Sequence, residues 1–418
     1  MLAVGIVFIF IAGTSFLGFA IDALFSKIKI TSVLPLLLIG LVIGPILGLV
    51  STGPQSTITT LAPYVVAVAV SFVLFDVGLN IRFDRLGRIF APATKFVLPT
   101  QVIIGFLISL IAYLGFHWSI LYSLIFGFAA SGPSSIIVPA FVKNIRASSD
   151  LKAGLVYESV LTDIIQLIVP LTLLAFVLNP HVMTLNYLGL FIFTNIVGAM
   201  LLGVASAFFW LYVLKKLGSR NGGYSWMLTI TMILATYGIS QQLGLESAIA
   251  IFVFGLVFSN FGGEQLYLRL SGGWVKDYFT IGKAAVKHTK SYQREIVFFV
   301  STFFFVYLGL IFSVQQVSLI SIAVALLAVA AVILVRHMTT PLISGMFSQD
   351  PSIRRTEASL VRLNIPRGLS SAIIASLPIT YGLAVSGFTN TMFLIILFTN
   401  IAFSVGVFIA YKDKGDEK

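Results

Sequence analysis

Glu158 and Asp163 stand inside one long apolar run, Leu151 to Val177, in the order Tyr157-Glu158-Ser159-Val160-Leu161-Thr162-Asp163. No other apolar run of the chain holds two acids away from its ends. A charge near the centre of a bilayer costs at least ~2.5–3.5 kcal/mol on insertion scales, so acids retained there point to function. On a helix, Ser159 and Asp163 share one face, and Glu158 and Thr162 share the face about 100° round. Burial works against the charged form of a carboxylate. Asp163, near mid-depth by count from Leu151, is therefore suited to hold either a proton or a hard monovalent cation. Competition between the two for one acid is sufficient for exchange. Ser159, Thr162 and backbone carbonyls freed around Ser131-Gly132-Pro133 are the candidate oxygen ligands beside it. The bland alternative is a structural acid hydrogen-bonded in a helix bundle.

Glu158 has a different candidate role. Arg336 lies in the apolar stretch Val332-Ile333-Leu334-Val335-Arg336-His337, and Arg367 lies beside Gly368 in a later run. A buried arginine needs a carboxylate partner. Glu158 is expected to pair with Arg336, with Arg367 as the second choice. Asp76, near one end of its run, is placed to line an entrance and attract cations, or else to sit at the interface near Arg82.

Such residues need a membrane-spanning scaffold, and the composition supplies one. The chain has 418 residues, of which 58% are hydrophobic and only 10% charged. Its mean hydropathy is +1.04, whereas soluble domains carry about 25% charged residues. Apolar runs of about 20 residues suggest spans. Thirteen are expected, at 2–25, 31–50, 58–80, 89–115, 119–142, 151–178, 185–214, 224–243, 245–262, 295–314, 317–345, 358–382 and 388–411. The first lacks a basic segment before it and reads as a span, not a cleaved signal. Cysteine is absent, the four histidines are scattered, and no nucleotide-binding motif is present. These features argue against thiol chemistry, a metal centre, ATP-driven pumping and any resident cofactor.

The net charge of +11 does not imply nucleic acid, because 22 of the 26 lysines and arginines fall in one alternate set of loops or, for Lys152, at the edge of one. The positive-inside rule then puts the N-terminus outside and the C-terminus in the cytoplasm, which requires an odd number of spans. The longest loop, 263–294, carries six basic residues with Trp274, Tyr278 and Phe279. It is either a surface-lying segment on anionic lipid or a solvated loop.

Two short motifs recur. Phe75-Asp76-Val77-Gly78-Leu79 in the third span resembles Val306-Tyr307-Leu308-Gly309-Leu310 in the tenth. Ser131-Gly132-Pro133-Ser134-Ser135-Ile136-Ile137 in the fifth resembles Arg367-Gly368-Leu369-Ser370-Ser371-Ala372-Ile373 in the twelfth. Each pair runs in opposite directions across the membrane, the mark of inverted repeats. Spans 5 and 12 also carry Gly, Pro and Ser breaks at mid-depth. An unwound stretch at that depth survives only when buried in protein or lining a cavity, and a matched pair of broken helices marks a transport site.

Together these residues resemble the cation/proton antiporter superfamily, nearest to its sodium/proton exchanger branch of the NhaP type. The resemblance rests on Glu158-Ser159-Val160-Leu161-Thr162-Asp163, Phe75 to Leu79, the Ser131-Gly132-Pro133 break and Arg336. It implies an all-α polytopic protein of about thirteen helices, with spans 5 and 12 crossing where they unwind. Spans 4–6 and 11–13 would form the ion-translocating core, and spans 1–3 and 7–10 a scaffold for a homodimer. An elevator-like movement of the core would expose the site to each side in turn. By the family pattern Asp163 binds ion and proton, Ser159 and Asp76 assist, and Glu158 pairs with Arg336.

Two positions depart from that pattern: Gly132 stands where the family has an acid, and Thr162 where it has asparagine. The paired aspartates of electrogenic relatives are absent. One exchanging acid makes one cation for one proton the simplest stoichiometry, which is electroneutral. The expected activity is secondary exchange of sodium, or of potassium or lithium, for protons across the cell membrane. A sodium-coupled carrier of an organic anion and a transport-inactive sensor are the alternatives, and an enzyme is not expected.

Overall fold

The computed structural model describes Gly5 and residues 12–21, 33–48, 57–81, 91–143, 149–178, 193–217, 225–261, 273–347, 358–383 and 385–412. All regular structure among the described residues is helical. That follows from the solvent: in hydrocarbon a backbone must satisfy its own amides, and a helix does so within one segment. The helices are α1 (Ala12–Ile21), α2 (Val33–Leu41), α3 (Thr57–Asn80), α4 (Ala91–Phe116), α5 (Ile120–Ala129) and α6 (Ile137–Lys143). They continue as α7 (Ser149–Leu178), α8 (Gly198–Leu217), α9 (Ser225–Gln242), α10 (Ser247–Phe261) and α11 (Gly273–Ile311). The last three are α12 (Leu319–Phe347), α13 (Leu369–Thr380) and α14 (Phe388–Lys412). Short π turns extend α2 over Val42–Ile46 and precede α8 over Phe193–Val197.

Among the described residues, six helices are long and apolar enough to cross a membrane, within α4, α7, α8, α11, α12 and α14. Six shorter apolar helices accompany them, and α9 belongs to neither group. Most of the loops that carry the basic residues lie outside the described residues. The expected loop 263–294 is not all loop, because α11 already begins at Gly273 and runs unbroken for 39 residues. At 1.5 Å per residue it is about 58 Å long, well beyond a hydrocarbon core. No proline interrupts residues 273–311, so a single helix can continue out of the apolar segment.

The chain forms two compact units. The first comprises Met1–Val66, Pro92–Pro170 and Phe299–Lys418, and the second Ala67–Ala91 and Leu171–Phe298. Within the first, α13 packs against α5 and α14, and α14 packs against α12 and α2. An apolar cluster of Val138, Val142, Leu151, Leu155, Leu360 and Val361 ties α6 and the start of α7 to helical residues 358–362. Within the second unit, α8, α9 and α10 pack on one another.

Each unit contains a close crossing of glycine on glycine with matching flanking residues. In the first, Gly40 of α2 meets Gly309 of α11; a Cβ on Gly309 would lie 2.8 Å from the Leu41 nitrogen and 2.9 Å from the Gly40 Cα. In the second, Gly78 of α3 meets Gly255 of α10; a Cβ on Gly78 would lie 2.7 Å from the Leu256 nitrogen. The flanking sequences match as well, Ile39-Gly40-Leu41-Val42 and Phe254-Gly255-Leu256-Val257. So the motif pair at Gly78 and Gly309 extends to the helices they touch, which strengthens the repeat. Small residues let membrane helices approach closely enough for dispersion to hold them.

Since the obstacles at these crossings are backbone atoms, added side chains must push helices apart. Gly78→Val and Gly309→Val should each destabilise the protein by about 1–3 kcal/mol. Gly238→Ala, with nothing within 4 Å of its Cβ, should be neutral or mildly stabilising. Thermal unfolding of the purified protein in detergent, followed by size-exclusion, checks both.

Candidate functional site

The site is built where two interrupted helices meet inside the first unit. The first interruption separates α5 from α6 over residues 130–136, and the second separates helical residues 358–362 from α13 over residues 363–368. Gly132 and Pro133 explain the first, since proline lacks an amide proton and clashes with the preceding turn. Pro366 and Gly368 do the same for the second. The two breaks touch directly: the Ser134 amide donates to the Pro366 carbonyl at 2.9 Å. A Cβ on Gly368 would collide with the Ser134 side chain.

Unwinding frees backbone groups that must find partners away from water. At the C-terminal end of α5, Arg367 Nε donates to the Ala130 carbonyl at 2.8 Å and Nη2 to the Ser131 carbonyl at 2.9 Å. Ser371 donates to the Ala129 carbonyl at 2.7 Å, and the Ser131 hydroxyl to that of Phe128 at 2.7 Å. In the second break, Arg367 Nη1 reaches the Ile365 carbonyl at 2.5 Å, and Asn400 donates to the Arg367 carbonyl at 2.8 Å. The wholly buried Arg367 therefore places a cation at a helix C-terminus, where the dipole favours one.

Asp163 takes the opposite end. Its carboxylate accepts from the Ser135 amide at 2.9 Å and from the Ser370 hydroxyl at 2.7 Å. Gln166 Nε2 lies 3.4 Å away, and the Ser135 side chain is a further partner. Ser370 is in the first turn of the twelve-residue α13, so this anion sits at a helix N-terminus. Asp163 is 3% exposed, and every group bonded to its side chain is neutral. Glu158, one and a half turns away on α7, is differently placed. Its Oε1 lies 2.6 Å from Arg336 Nη2, and its Oε2 accepts from Asn364 at 2.8 Å. Arg367 makes no hydrogen bond to Glu158, its guanidinium being occupied by carbonyls.

The remaining sequence candidates divide. Thr162 joins the first break, its one hydroxyl proton within reach of the Pro133 carbonyl at 3.2 Å or the Ser159 carbonyl at 3.0 Å. The Ser159 hydroxyl turns back to the Val156 carbonyl at 2.8 Å and does not bond Asp163. Asp76 belongs to the second unit, where Asn80 donates to it at 3.1 Å and Lys290 and Arg294 of α11 supply nearby positive charge. The side chains of Trp274, Tyr278 and Phe279 lie outside the described residues.

Gly132 is held by its surroundings. A Cβ there would meet the Thr162 Cβ, and would lie 2.7 Å from Gln101 Oε1 and 2.7 Å from Gln166 Nε2. Gln101 Nε2 donates to the Ser131 hydroxyl at 2.7 Å and to the Thr162 carbonyl at 3.3 Å. So Gly132, Thr162, Gln101 and Gln166 form one packing unit. Three neutral side chains fill the place an acid at 132 would need. The sequence reading passed over Gln101 and Gln166, although each interrupts an otherwise apolar stretch. It also passed over Ser370 and Ser371, inside a motif already singled out, and Asn364.

Two crossed, interrupted helices with a buried acid at one helix end and a buried arginine at another lie here within a multi-pass membrane protein. The chain belongs to the sodium/hydrogen exchanger family, whose transmembrane model matches residues 8–411; this is a family of transporters, not enzymes. It is 24% identical over 319 residues to the Na(+)/H(+) antiporter NhaS2 of Synechocystis, a match covering 74% of this chain. The match spans about half of that relative, 54% of its length. The fold is that of the sodium proton antiporter MjNhaP1 from Methanocaldococcus jannaschii at pH 8, with a TM-score of 0.70 at 18% identity over 97% of this chain and 99% of that one. An electron-microscopy map of the same antiporter matches with a TM-score of 0.69, over 100% and 99% of the two chains.

Two substitutions test this geometry. Removing one member of a buried ion pair strands the other, so Arg336→Met and Glu158→Gln should each destabilise the protein by about 3–5 kcal/mol, read by thermal unfolding in detergent. Gly132→Ala, which forces the packed glutamines and Thr162 aside, should cost about 1–3 kcal/mol in the same assay.

Proposed function

We propose that this protein is a secondary antiporter that exchanges a monovalent cation for a proton at Asp163. One observation carries the reading. Among the ionisable side chains described at the crossing, Glu158 is matched by Arg336 and Arg367 by helix-end carbonyls. Of the two acids, Glu158 and Asp163, only Asp163 has none but neutral partners. A carboxylate that no fixed charge neutralises can trade one small cation for another. Sodium is the favoured ion, on the strength of the family and of the names its relatives carry, with potassium and lithium as the other candidates.

Ser159, Thr162, Ser131 and Gly132 shape the site around this acid, and Asp76 lines an entrance and attracts cations. Glu158 and Arg336 brace the fold. With one exchanging acid the cycle carries one cation against one proton and is electroneutral. Alternating access comes from an elevator-like movement of a core made of spans 4–6 and 11–13. The protein works as a homodimer, with its N-terminus outside and its C-terminus in the cytoplasm. Arg367 weighs against an organic-anion carrier, because its guanidinium is already committed to backbone carbonyls.

The experiment is proton flux in reconstituted liposomes carrying an imposed pH gradient and a lumenal pH dye. Adding sodium, potassium or lithium should collapse the gradient in the wild type and not in Asp163→Asn. Lowering the pH should raise the apparent KM for the cation, since more of Asp163 then holds a proton that the cation must displace. An absent cation response between pH 5 and 9 would overturn the antiport reading.

A further inference from the structure

Gln166 lies less than one turn beyond Asp163 on α7 and is 1% exposed. Its amide spans two polar groups. Nε2 faces Asp163 Oδ1 at 3.4 Å, and Oε1 faces the Ser371 hydroxyl at 3.1 Å. Ser371 also lies 2.7 Å from the Ala129 carbonyl. A hydroxyl has one proton and can serve only one of these acceptors at a time. Turn the amide about its last torsion and the conflict disappears. Nε2 then donates to the Ser371 oxygen, Ser371 keeps the Ala129 carbonyl, and the Gln166 carbonyl oxygen faces Asp163. That torsion is broad and roughly two-fold, so both settings are accessible.

The other buried glutamine of the site does not have this freedom. Gln101 Nε2 donates to the Thr162 carbonyl, which can only accept, and to Ser131, whose own proton goes to the Phe128 carbonyl. Turning Gln101 would set oxygen against oxygen. Gln166 Nε2 lies 2.7 Å from where a Cβ on residue 132 would sit, so only glycine there leaves the amide room to swing. Space at residue 132 does not separate the two amides, since a Cβ there would lie 2.7 Å from Gln101 Oε1 as well.

We propose that Gln166 is a cation ligand and selectivity residue that acts by turning its amide. Its NH2 end faces the empty carboxylate, and its carbonyl oxygen faces a cation bound there. Ser371 is the partner that accepts either setting. The inference rests on the antiport reading and names a neutral oxygen that Asp163 would share the ion with. It also gives the glycine at 132 a function, as the clearance for that swing.

The test uses full-length protein in proteoliposomes at fixed pH, comparing wild type, Gln166→Met and Ser371→Ala with sodium, lithium and potassium. Gln166→Met keeps the volume and removes the oxygen. Its apparent KM for the preferred cation should rise about tenfold, the worth of roughly one hydrogen bond. Its maximal rate should stay within about threefold of wild type, and the spread between the three ions should narrow. Ser371→Ala, which removes the acceptor of the turned amide, should move KM in the same direction by a smaller factor. An active wild type with unchanged KM and ion order in both variants would overturn this proposal and leave antiport standing. Should Gln166→Met not fold, Ser371→Ala decides the matter alone. A wild type with no cation response at all would overturn the antiport reading, and this proposal with it.

Discussion

The structure depends on one constraint: a backbone unwound inside a membrane must have its freed amides and carbonyls bonded by protein. At the crossing this is met by side chains reaching from one break to the other. Arg367, at the end of the second break, bonds the carbonyls that the first break exposes. Ser371 adds a third bond of the same kind, and the Ser134 amide returns one to Pro366. Neither break could persist alone, because each supplies the other's missing partners. This explains why the two sequence interruptions occur as a pair.

Charge follows from the same geometry. Breaking two helices inside the bundle creates helix ends with partial charges where water cannot screen them. Arg367 meets the end of α5, and Asp163 meets the start of α13. The two ionised groups are thus stabilised by helix ends and need no direct pairing with each other. Glu158 and Arg336 form a separate pair, braced by Asn364. The result is one acid held by hydrogen bonds alone, which can release its charge partner and take another without collapsing a salt bridge.

Packing decides the remaining chemistry. Gly132 lies beneath Gln101, Gln166 and Thr162, so the departures from the family pattern at 132 and 162 belong to one rearrangement. A second acid there would have to displace buried amides that already hold the break together. The glycine crossings at Gly40 with Gly309 and Gly78 with Gly255 act at the level of whole helices. One lies in each unit, and the two have similar flanking residues.

Much of this was determined by the sequence. The helical, membrane-spanning character follows from hydropathy, because lipid leaves the backbone no other partner than itself. The break positions follow from Gly132-Pro133 and Pro366-Arg367-Gly368, and the importance of Glu158 and Asp163 from the cost of burying charge. The extent of α11 was only partly legible, since residues 273–287 are polar enough to read as loop yet continue the helix. The tertiary structure alone decided which side chains meet. By sequence Arg336 is the expected partner of Glu158 and Arg367 the second choice, and only the fold brings one to Glu158 and the other to α5. Ser159 shares a helical face with Asp163, yet its hydroxyl bonds its own helix. Gln101 and Gln166 gained their roles from contacts across the breaks. Helical period and polarity are local properties that a sequence displays. Partner choice among buried polar groups depends on distances across helices far apart in the chain, and only the folded molecule sets those.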